Sequence, residues 1–245
     1  MIVSWNGRLV TGGMVDLPVT DPLFLRGEGV FETMRFEGGR VGLWARHLAR
    51  LQFSAKAMGW SLPSADELEG RVVAVVEANG LAAARVRLTV GREILITAEE
   101  LPVDLPGLKV VTCDFPVNER SPLAGIKGTS YAEPRLILER FGVDEVIRPN
   151  TRGEVCEGCY SNLFFVKEGR VYTPALESGC LPGVMRAEVI DRFEVGEGLW
   201  PIEVLREAEE VWLTNAIRRV RRVTKLDGRE MDGPSALFCE ICSAL

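Results

Sequence analysis

The chain has 245 residues, of which 47% are hydrophobic, and a formal net charge of −6. This length allows one large domain or two modest ones, and the hydrophobic share is ample for a buried core. The acidic balance argues against broad nucleic-acid binding, and no apolar run approaches the roughly 18 residues of a membrane span.

The first ten residues, MIVSWNGRLV, lack the basic start and long apolar stretch of a secretion signal and predict a hairpin. Six cysteines without an export signal predict reduced thiols and a cytoplasmic location. The single histidine, His47, excludes sites that need two or three histidine side chains. Five lysines leave few candidates for lysine-based chemistry.

Patterns of strands and helices alternate along the first half. GVFETMRFEGGRVGLW predicts a hairpin, and apolar residues three and four apart predict a helix over Trp44–Met58. A capping box at Ser64–Glu67 predicts the start of a second helix that ends near Asn79. ARVRLTV, EILITA and GLKVVTCDF predict strands. We therefore expect an N-terminal α+β domain over residues 1–115.

The second half begins after a segment with little regular pattern, residues 116–126, which predicts a linker. We expect residues 127–245 to form an α/β domain, and the crevice between the two domains to hold a ligand. The predicted helices are Tyr131–Phe141, one after Pro182-Gly183, and Ser235–Leu245, and the predicted strands include Asp144–Ile147, Ser161–Val166 and Glu210–Leu213.

Lys127, in PLAGIKGTSY, has no acidic residue within five positions on either side. Partial burial among apolar neighbours would lower the pKa of its amine and make it available for Schiff-base chemistry. The alternative is an ordinary surface lysine in a linker.

Three segments have features that suit an anion. Arg50 lies on the predicted helix that contains His47, and an arginine held on a packed helix can bind phosphate through its planar fork. LPGVMR predicts a helix start, where backbone N–H groups bind anions. LTNAI predicts a strand end that enters a loop. Each segment alone is equally compatible with a structural role.

Two Cys-x-x-Cys pairs invite other interpretations. Cys156 and Cys159 flank Glu157, and Cys239 and Cys242 lie on the predicted C-terminal helix. A four-cysteine zinc site remains open, although the separation of the pairs far exceeds that of compact zinc modules. A redox pair is disfavoured, because Cys156 is predicted in a strand rather than at a helix start.

Taken in chain order, six segments resemble the fold-type IV family of pyridoxal-phosphate enzymes, the class IV aminotransferase-like group. They are GEGVFETMR, RHLARL, GIKGTSY, EVCEGCYSNLFF, LPGVMR and WLTNAIRRV. The resemblance covers nearly the whole chain. It implies a two-domain fold with the cofactor at the domain interface, a homodimer, and a small-molecule substrate that carries an amine and carboxylates.

The resemblance also implies roles for individual residues. Lys127 would hold pyridoxal 5'-phosphate covalently and then act as a proton shuttle. Glu157 would pair with the pyridine nitrogen and keep the ring a strong electron sink. Arg50 would bind the phosphate. Further cofactor contacts would come from Val184, Met185, Asn215 and Ala216, and substrate contacts from Phe31 and Tyr131. No metal site is implied.

Two features favour a lyase within this group. Asn215-Ala216 resembles the Asn-Ala pair of the aminodeoxychorismate lyases, and TVGREILITAEE passes almost directly between two strands, which leaves only Arg92 near the substrate carboxylate. We therefore expect conversion of 4-amino-4-deoxychorismate to 4-aminobenzoate and pyruvate, a folate-pathway step.

The principal alternative is an aminotransferase acting on D-amino acids or branched-chain amino acids. A third possibility is a cofactor- or zinc-binding scaffold without turnover. The arginine cluster at 218–222 is a further candidate for the carboxylates.

Overall fold

The structure is a computed structural model that describes residues 1–103 and 107–245. The described chain divides into two compact units. The first contains Met1–Val103 and Ile126–Tyr131, and the second contains the remaining described residues. Every helix in these ranges is too short or too polar to cross a membrane.

A six-stranded antiparallel sheet forms the first unit, in the order β2-β1-β6-β5-β3-β4. Alternate side chains of the strands point to opposite faces, so one face is apolar and packs on helices. The strands are β1 (Ile2–Trp5), β2 (Arg8–Thr11), β3 (Val30–Glu37), β4 (Arg40–Val41), β5 (Ala83–Val90) and β6 (Ile94–Glu99).

Three helices accompany this sheet: α1 (Pro22–Arg26), α2 (Trp44–Ala57) and α3 (Ala65–Ala78). Helix α2 contributes Leu51 and Ala55 to the core, at the spacing of one helical turn. Helix α3 buries Leu68, Val72, Val75 and Val76 against β6, β1 and β5, in the same core as Val86, Leu88 and Ile96.

A nine-stranded sheet forms the second unit, in the order β12-β11-β10-β13-β14-β7-β8-β9, with β15 beside β14. Strand β7 is parallel to both β8 and β14, and β12 is parallel to β11, while the other pairs are antiparallel. The strands are β7 (Leu108–Thr112), β8 (Glu145–Pro149), β9 (Val155–Gly158), β10 (Asn162–Lys167), β11 (Arg170–Pro174), β12 (Val195–Gly198), β13 (Glu210–Asn215), β14 (Arg219–Leu226) and β15 (Arg229–Glu230).

Both faces of this sheet are apolar, because hydrophobic side chains follow one another without alternation in β10 and β13. On one face Phe164 and Trp212 pack against helices; on the other Phe165 and Leu213 form a separate core. The helices are α4 (Ala132–Phe141), α5 (Val184–Arg192) and α6 (Ala236–Ala244), with 3₁₀ turns at Leu176–Ser178 and Ile202–Arg206.

Predicted helices and strands differ from the observed ones mostly by one or two residues at their ends. The structure differs from the sequence-based division in two places. Strand β7, assigned to residues 1–115, pairs with β8 and β14 of the second sheet. Ile126–Tyr131, assigned mainly to the second domain, belongs to the first unit. Both pairings join residues far apart in sequence, which local patterns do not reveal.

Candidate active site

The loop that contains Lys127 runs beside the start of β3. The N–H of Phe31 donates to the carbonyl of Lys127 over 3.0 Å, and the N–H of Thr129 donates to the carbonyl of Gly29 over 2.8 Å. The loops are packed so closely that a Cβ added at Gly29 would overlap Leu23 and lie 3.1 Å from the Thr129 methyl group. The backbone position of the lysine is therefore fixed on both sides.

The amine of Lys127 lies among aromatic rings. Its Nζ donates to the hydroxyl of Tyr131 over 3.2 Å and lies 4.6 Å from the centroid of the buried Phe31 ring. The Phe31 and Tyr131 rings meet edge to face at 5.1 Å. Since the lysine itself is half-buried, these neighbours restrict the amine to one small region of the first unit.

Arg87 of β5 completes this cluster, with its guanidinium carbon 3.6 Å from the centre of the Phe31 ring. Burial lowers the pKa of the Arg87 guanidinium. Arg92, the arginine predicted from the sequence to contact the substrate, is exposed in the short turn between β5 and β6. The alternation in RVRLTV places Arg87 on the face opposite the core residues Val86 and Leu88, and this signal could have found it.

On the other face of β3, Glu32 binds two side chains of α2. Its carboxylate accepts two bonds from Arg50, from Nε at 2.8 Å and from Nη2 at 2.7 Å, and lies 2.6 Å from Nδ1 of His47. Arg50 is 8% exposed, while Glu32 and His47 are 1% exposed. The planar guanidinium fork of Arg50, the predicted phosphate ligand, is therefore bound to a buried carboxylate.

The pKa values of this cluster follow from burial and hydrogen bonding. Burial raises the pKa of Glu32, but the bonds from Arg50 and His47 outweigh burial and lower it below its usual value. Burial also lowers the pKa of His47, because the charged imidazole loses its hydration, and this outweighs the attraction of Glu32. Glu32 is therefore the anion and His47 the neutral partner at neutral pH.

In the second unit, Glu157 of β9 is half-buried, and its Oε2 accepts the N–H of Leu181 over 2.8 Å. Asn162 of β10 donates from Nδ2 to the carbonyl of the same Leu181, also over 2.8 Å. The N–H and the carbonyl of Leu181 are therefore both bound by side chains, from two strands that are consecutive along the chain.

Leu181 leads into the first turn of α5. Gly183 caps this helix without a side-chain hydrogen bond, and Val184 and Met185 are its first two residues. Their side chains are buried, and the backbone N–H groups of a first helical turn have no partner within the helix. This helix start can therefore bind an anion.

The end of β13 lies near Asn162 in the sheet. Thr214 faces Asn162 in the pairing of β13 with β10, and among the described residues the buried Thr214 Oγ1 has no hydrogen-bond partner. The side chain of Asn215 accepts the N–H groups of Ile217 and Arg218, so it orders the loop that contains Ala216. An unpartnered buried hydroxyl at this point suits a polar ligand.

Burial distinguishes the cysteines of the two Cys-x-x-Cys pairs. Cys156 and Cys159 are buried, which raises the pKa of both thiols, that of Cys159 to about 12. Cys239 and Cys242 are exposed. No group of three or more His, Cys, Asp or Glu side chains in residues 1–103 and 107–245 could hold a metal ion. Thiols with raised pKa values are poor nucleophiles.

Phe31, Lys127 and Tyr131 share one cluster, Arg50 is bound to Glu32, which follows Phe31 in β3, and Arg92 lies in the exposed turn. In the second unit, Glu157 is connected through Leu181 to the helix start at Val184 and Met185. Asn215 ends β13, the strand beside Asn162, and Ala216 follows it.

Comparison with known proteins identifies both lyases and aminotransferases among the curated relatives. The aminodeoxychorismate lyase of Bacillus subtilis is 28% identical over 91% of this chain and 85% of its own. The D-alanine aminotransferase of Listeria innocua is 27% identical over 93% of this chain and 88% of its own.

Solved structures with a similar fold include aminotransferases. The branched-chain aminotransferase of Thermoproteus uzoniensis, with norvaline, has a TM-score of 0.91 at 27% identity, over 100% of this chain and 93% of its own. The pyridoxal-phosphate-bound form of a hypothetical aminotransferase from Mycobacterium tuberculosis has a TM-score of 0.89 at 24% identity, over 100% and 98%. The predicted fold-type IV class is confirmed.

The family model for amino-transferase class IV matches residues 29–226. This range contains every residue for which the sequence analysis predicted a cofactor or substrate contact. Enzymes of this family depend on pyridoxal 5'-phosphate, so the predicted cofactor is confirmed. Together with the fold, the match shows that the chain belongs to the class IV aminotransferase family.

Proposed function

We propose that this protein is a pyridoxal-phosphate-dependent lyase that converts 4-amino-4-deoxychorismate to 4-aminobenzoate and pyruvate. The observation that carries the proposal is the cluster in which the amine of Lys127 lies between the Phe31 ring and the Tyr131 hydroxyl, with Arg87 on the same ring. It supplies a base and a cation for a substrate that has both an acidic C–H and carboxylates.

The residues present fit the cofactor. Lys127 supplies the amine for its aldehyde, Glu157 an acid for its ring nitrogen, and the start of α5 backbone donors for its phosphate. The buried Thr214 hydroxyl offers a further hydrogen bond. When bound, the cofactor supplies an electron sink for a carbanion next to the substrate amine.

The chain's own residues then perform the proton transfers. In our proposal Lys127 Nζ takes the proton from the ring carbon that bears the substrate amine, and the Tyr131 hydroxyl holds Nζ in place for that transfer. The ether bond to the enolpyruvyl group breaks as the ring becomes aromatic, and the proton on Nζ is available to the departing group, which yields pyruvate. Arg87 binds a substrate carboxylate through its planar fork.

Two features support a lyase over an aminotransferase. The turn between β5 and β6 has only three residues, Gly91–Glu93, so it leaves little room for a second carboxylate-binding group beside Arg87. The chain also contains Asn215-Ala216, a pair that resembles the Asn-Ala pair of the lyases. The relative from Bacillus subtilis is named as a lyase of the proposed substrate.

The test is a product assay on 4-amino-4-deoxychorismate with the purified holoenzyme. We expect stoichiometric 4-aminobenzoate and pyruvate, and no formation in Lys127→Ala. Borohydride reduction followed by peptide mapping should label Lys127, while the control variant Lys56→Ala, on α2, should retain activity. A label on another lysine would remove Lys127 from the mechanism.

The same protein incubated with 2-oxoglutarate and a panel of D- and branched-chain amino acids tests the alternative. This alternative has its own support, because the Listeria innocua and Thermoproteus uzoniensis proteins are aminotransferases of similar identity. Rapid glutamate formation without 4-aminobenzoate would replace the lyase with an aminotransferase. Cofactor binding without either product would indicate a scaffold.

Two further parts of the proposal rest on the family resemblance and composition. We propose a homodimer, as the resemblance implies. We also propose a cytoplasmic location, because the described cysteines are all unpaired thiols.

A further inference from the structure

We infer that Asn162 is a positioning residue that fixes the phosphate-binding start of α5. The inference rests on the proposed function, because it concerns the residues assigned to the cofactor. It adds a residue to which neither the sequence resemblance nor the mechanism above gives a role.

Side chains bind both polar backbone groups of Leu181. Its carbonyl accepts Nδ2 of Asn162 and its N–H donates to Oε2 of Glu157, both over 2.8 Å. Asn162 is 5% exposed, so its amide is shielded from water. The peptide groups of Leu181 thus connect the predicted partner of the pyridine nitrogen with the chain that leads into the helix.

Asn162 also packs closely against Gly183. This residue caps α5 with φ −68° and ψ 136°, a conformation that any L-residue adopts. A Cβ added there would overlap Oδ1 of Asn162 and lie 2.9 Å from its Cγ, whereas the next neighbour, Cβ of Arg186, is at an ordinary 3.4 Å. The glycine is therefore required by Asn162 and not by the backbone.

The charge of the Asn162 side chain decides how its loss would act on phosphate binding. Asn162 is neutral, so it adds no charge to the phosphate site, and its removal changes the order of the helix start without changing the electrostatic attraction. Anion binding by backbone N–H groups depends on their common direction. Loss of the amide should therefore weaken binding of the phosphate group and leave binding of the pyridine ring and aldehyde largely unchanged.

The experiment compares two probes on the apoprotein, pyridoxal phosphate and pyridoxal, which differ by the phosphate alone. The measured quantity is the ratio of their dissociation constants from absorbance titrations. In Asn162→Ala we expect the preference for the phosphorylated probe to fall about tenfold, which corresponds to about 1.4 kcal/mol. The control Thr173→Val also removes one buried side-chain hydrogen bond, to the Leu163 carbonyl, and should keep the wild-type ratio.

Gly183→Ala gives an independent reading, because it keeps every polar group and displaces Asn162 by steric overlap. It should lower the preference to a similar extent, and the double variant with Asn162→Ala should be no worse than Asn162→Ala alone, because the overlap has been removed. Independent, multiplicative effects of the two substitutions would contradict a shared cause.

The outcomes separate this inference from the proposed function. A wild-type protein that binds both probes equally would overturn the phosphate assignment, and this inference with it. A wild-type preference that persists in both Asn162→Ala and Gly183→Ala would overturn the role of Asn162 alone.

Discussion

At the scale of single residues, the buried group Glu32, His47 and Arg50 is the strongest electrostatic feature of the first unit. A buried carboxylate is stable as an anion only when its oxygens are bound, and here three hydrogen bonds bind them. Arg50 therefore stabilises the fold as the partner of Glu32, in addition to the phosphate contact that the family resemblance implies for it.

Arg50→Ala should reduce the free energy of unfolding of the apoprotein by about 3 kcal/mol, because Glu32 is left buried without its counter-ion. The matched control is Arg85→Ala, which removes an exposed pair with Glu99 and should cost less than about 1 kcal/mol. Urea unfolding at neutral pH measures both. Equal losses would show that burial adds nothing to the pair with Glu32.

The lowered pKa of His47 predicts a loss of stability in mild acid. The folded protein holds the imidazole neutral below its usual pKa of 6.5, whereas the unfolded chain takes up the proton, so stability falls as the pH drops below 6.5. The slope should approach about 1.4 kcal/mol per pH unit for one proton. Glu32, whose pKa is also lowered, adds a further loss below its usual value of 4.5.

Urea midpoints measured between pH 7.5 and pH 5 test this dependence. His47→Gln should flatten the curve in that range, because His47 is the single histidine of the chain. A slope that persists in the variant would assign the pH dependence to another group.

At the scale of elements, the capping box predicted for helix α3 forms only in part. Ser64 Oγ accepts the N–H of Glu67 over 3.3 Å, as a capping box predicts, but the Glu67 carboxylate pairs with Arg71 one turn later. One half of the box therefore forms, and the glutamate stabilises the helix through an i,i+4 pair instead.

Ser64→Ala should lower the free energy of unfolding by about 1 kcal/mol, because an N–H group of the first turn loses its partner. Ser61→Ala, three residues earlier in an exposed segment, should have no measurable effect. Thermal unfolding of the two variants under identical conditions gives the comparison, and equal melting temperatures would mean that the cap does not contribute.

At the scale of the whole molecule, local patterns predicted the helices α2 and α3, whose apolar spacing is regular, and chain-wide motif order predicted the family. The unit boundaries were not predictable in this way. Strand β7 lies next to β8 and β14, whose paired residues are 35 and about 115 positions away, and parallel pairing of this kind leaves no local mark.

The candidate site was predicted to a similar extent. Lys127 and Glu157 lie in motifs that can be read directly, and the structure places Phe31 and Tyr131 beside the lysine. Strand alternation places Arg87 on the face opposite the core, but its contact with the Phe31 ring depends on the pairing of β5 with β3, which the sequence does not reveal. Asn162 was missed because its partner, the Leu181 carbonyl, is a backbone group.

The proposed homodimer gives a prediction for the intact protein. Light scattering after gel filtration should give about twice the chain mass of 27.0 kDa. Phe24 and Leu25 on α1 are 67% and 55% exposed, which is unusual for adjacent large apolar side chains, so Phe24→Asp should shift the protein toward the monomer. A wild-type mass of one chain at all concentrations would contradict the dimer.

Gly29 contributes no functional group, yet the placement of the amine depends on the space that its missing side chain leaves. A methyl group there would displace Leu23 and Thr129, and Lys127 would move with the loop. An inactive Gly29→Ala protein would consequently be misaligned rather than chemically deficient. A second-site suppressor that removes bulk, such as Leu23→Ala, should restore it, although neither position touches a reacting atom.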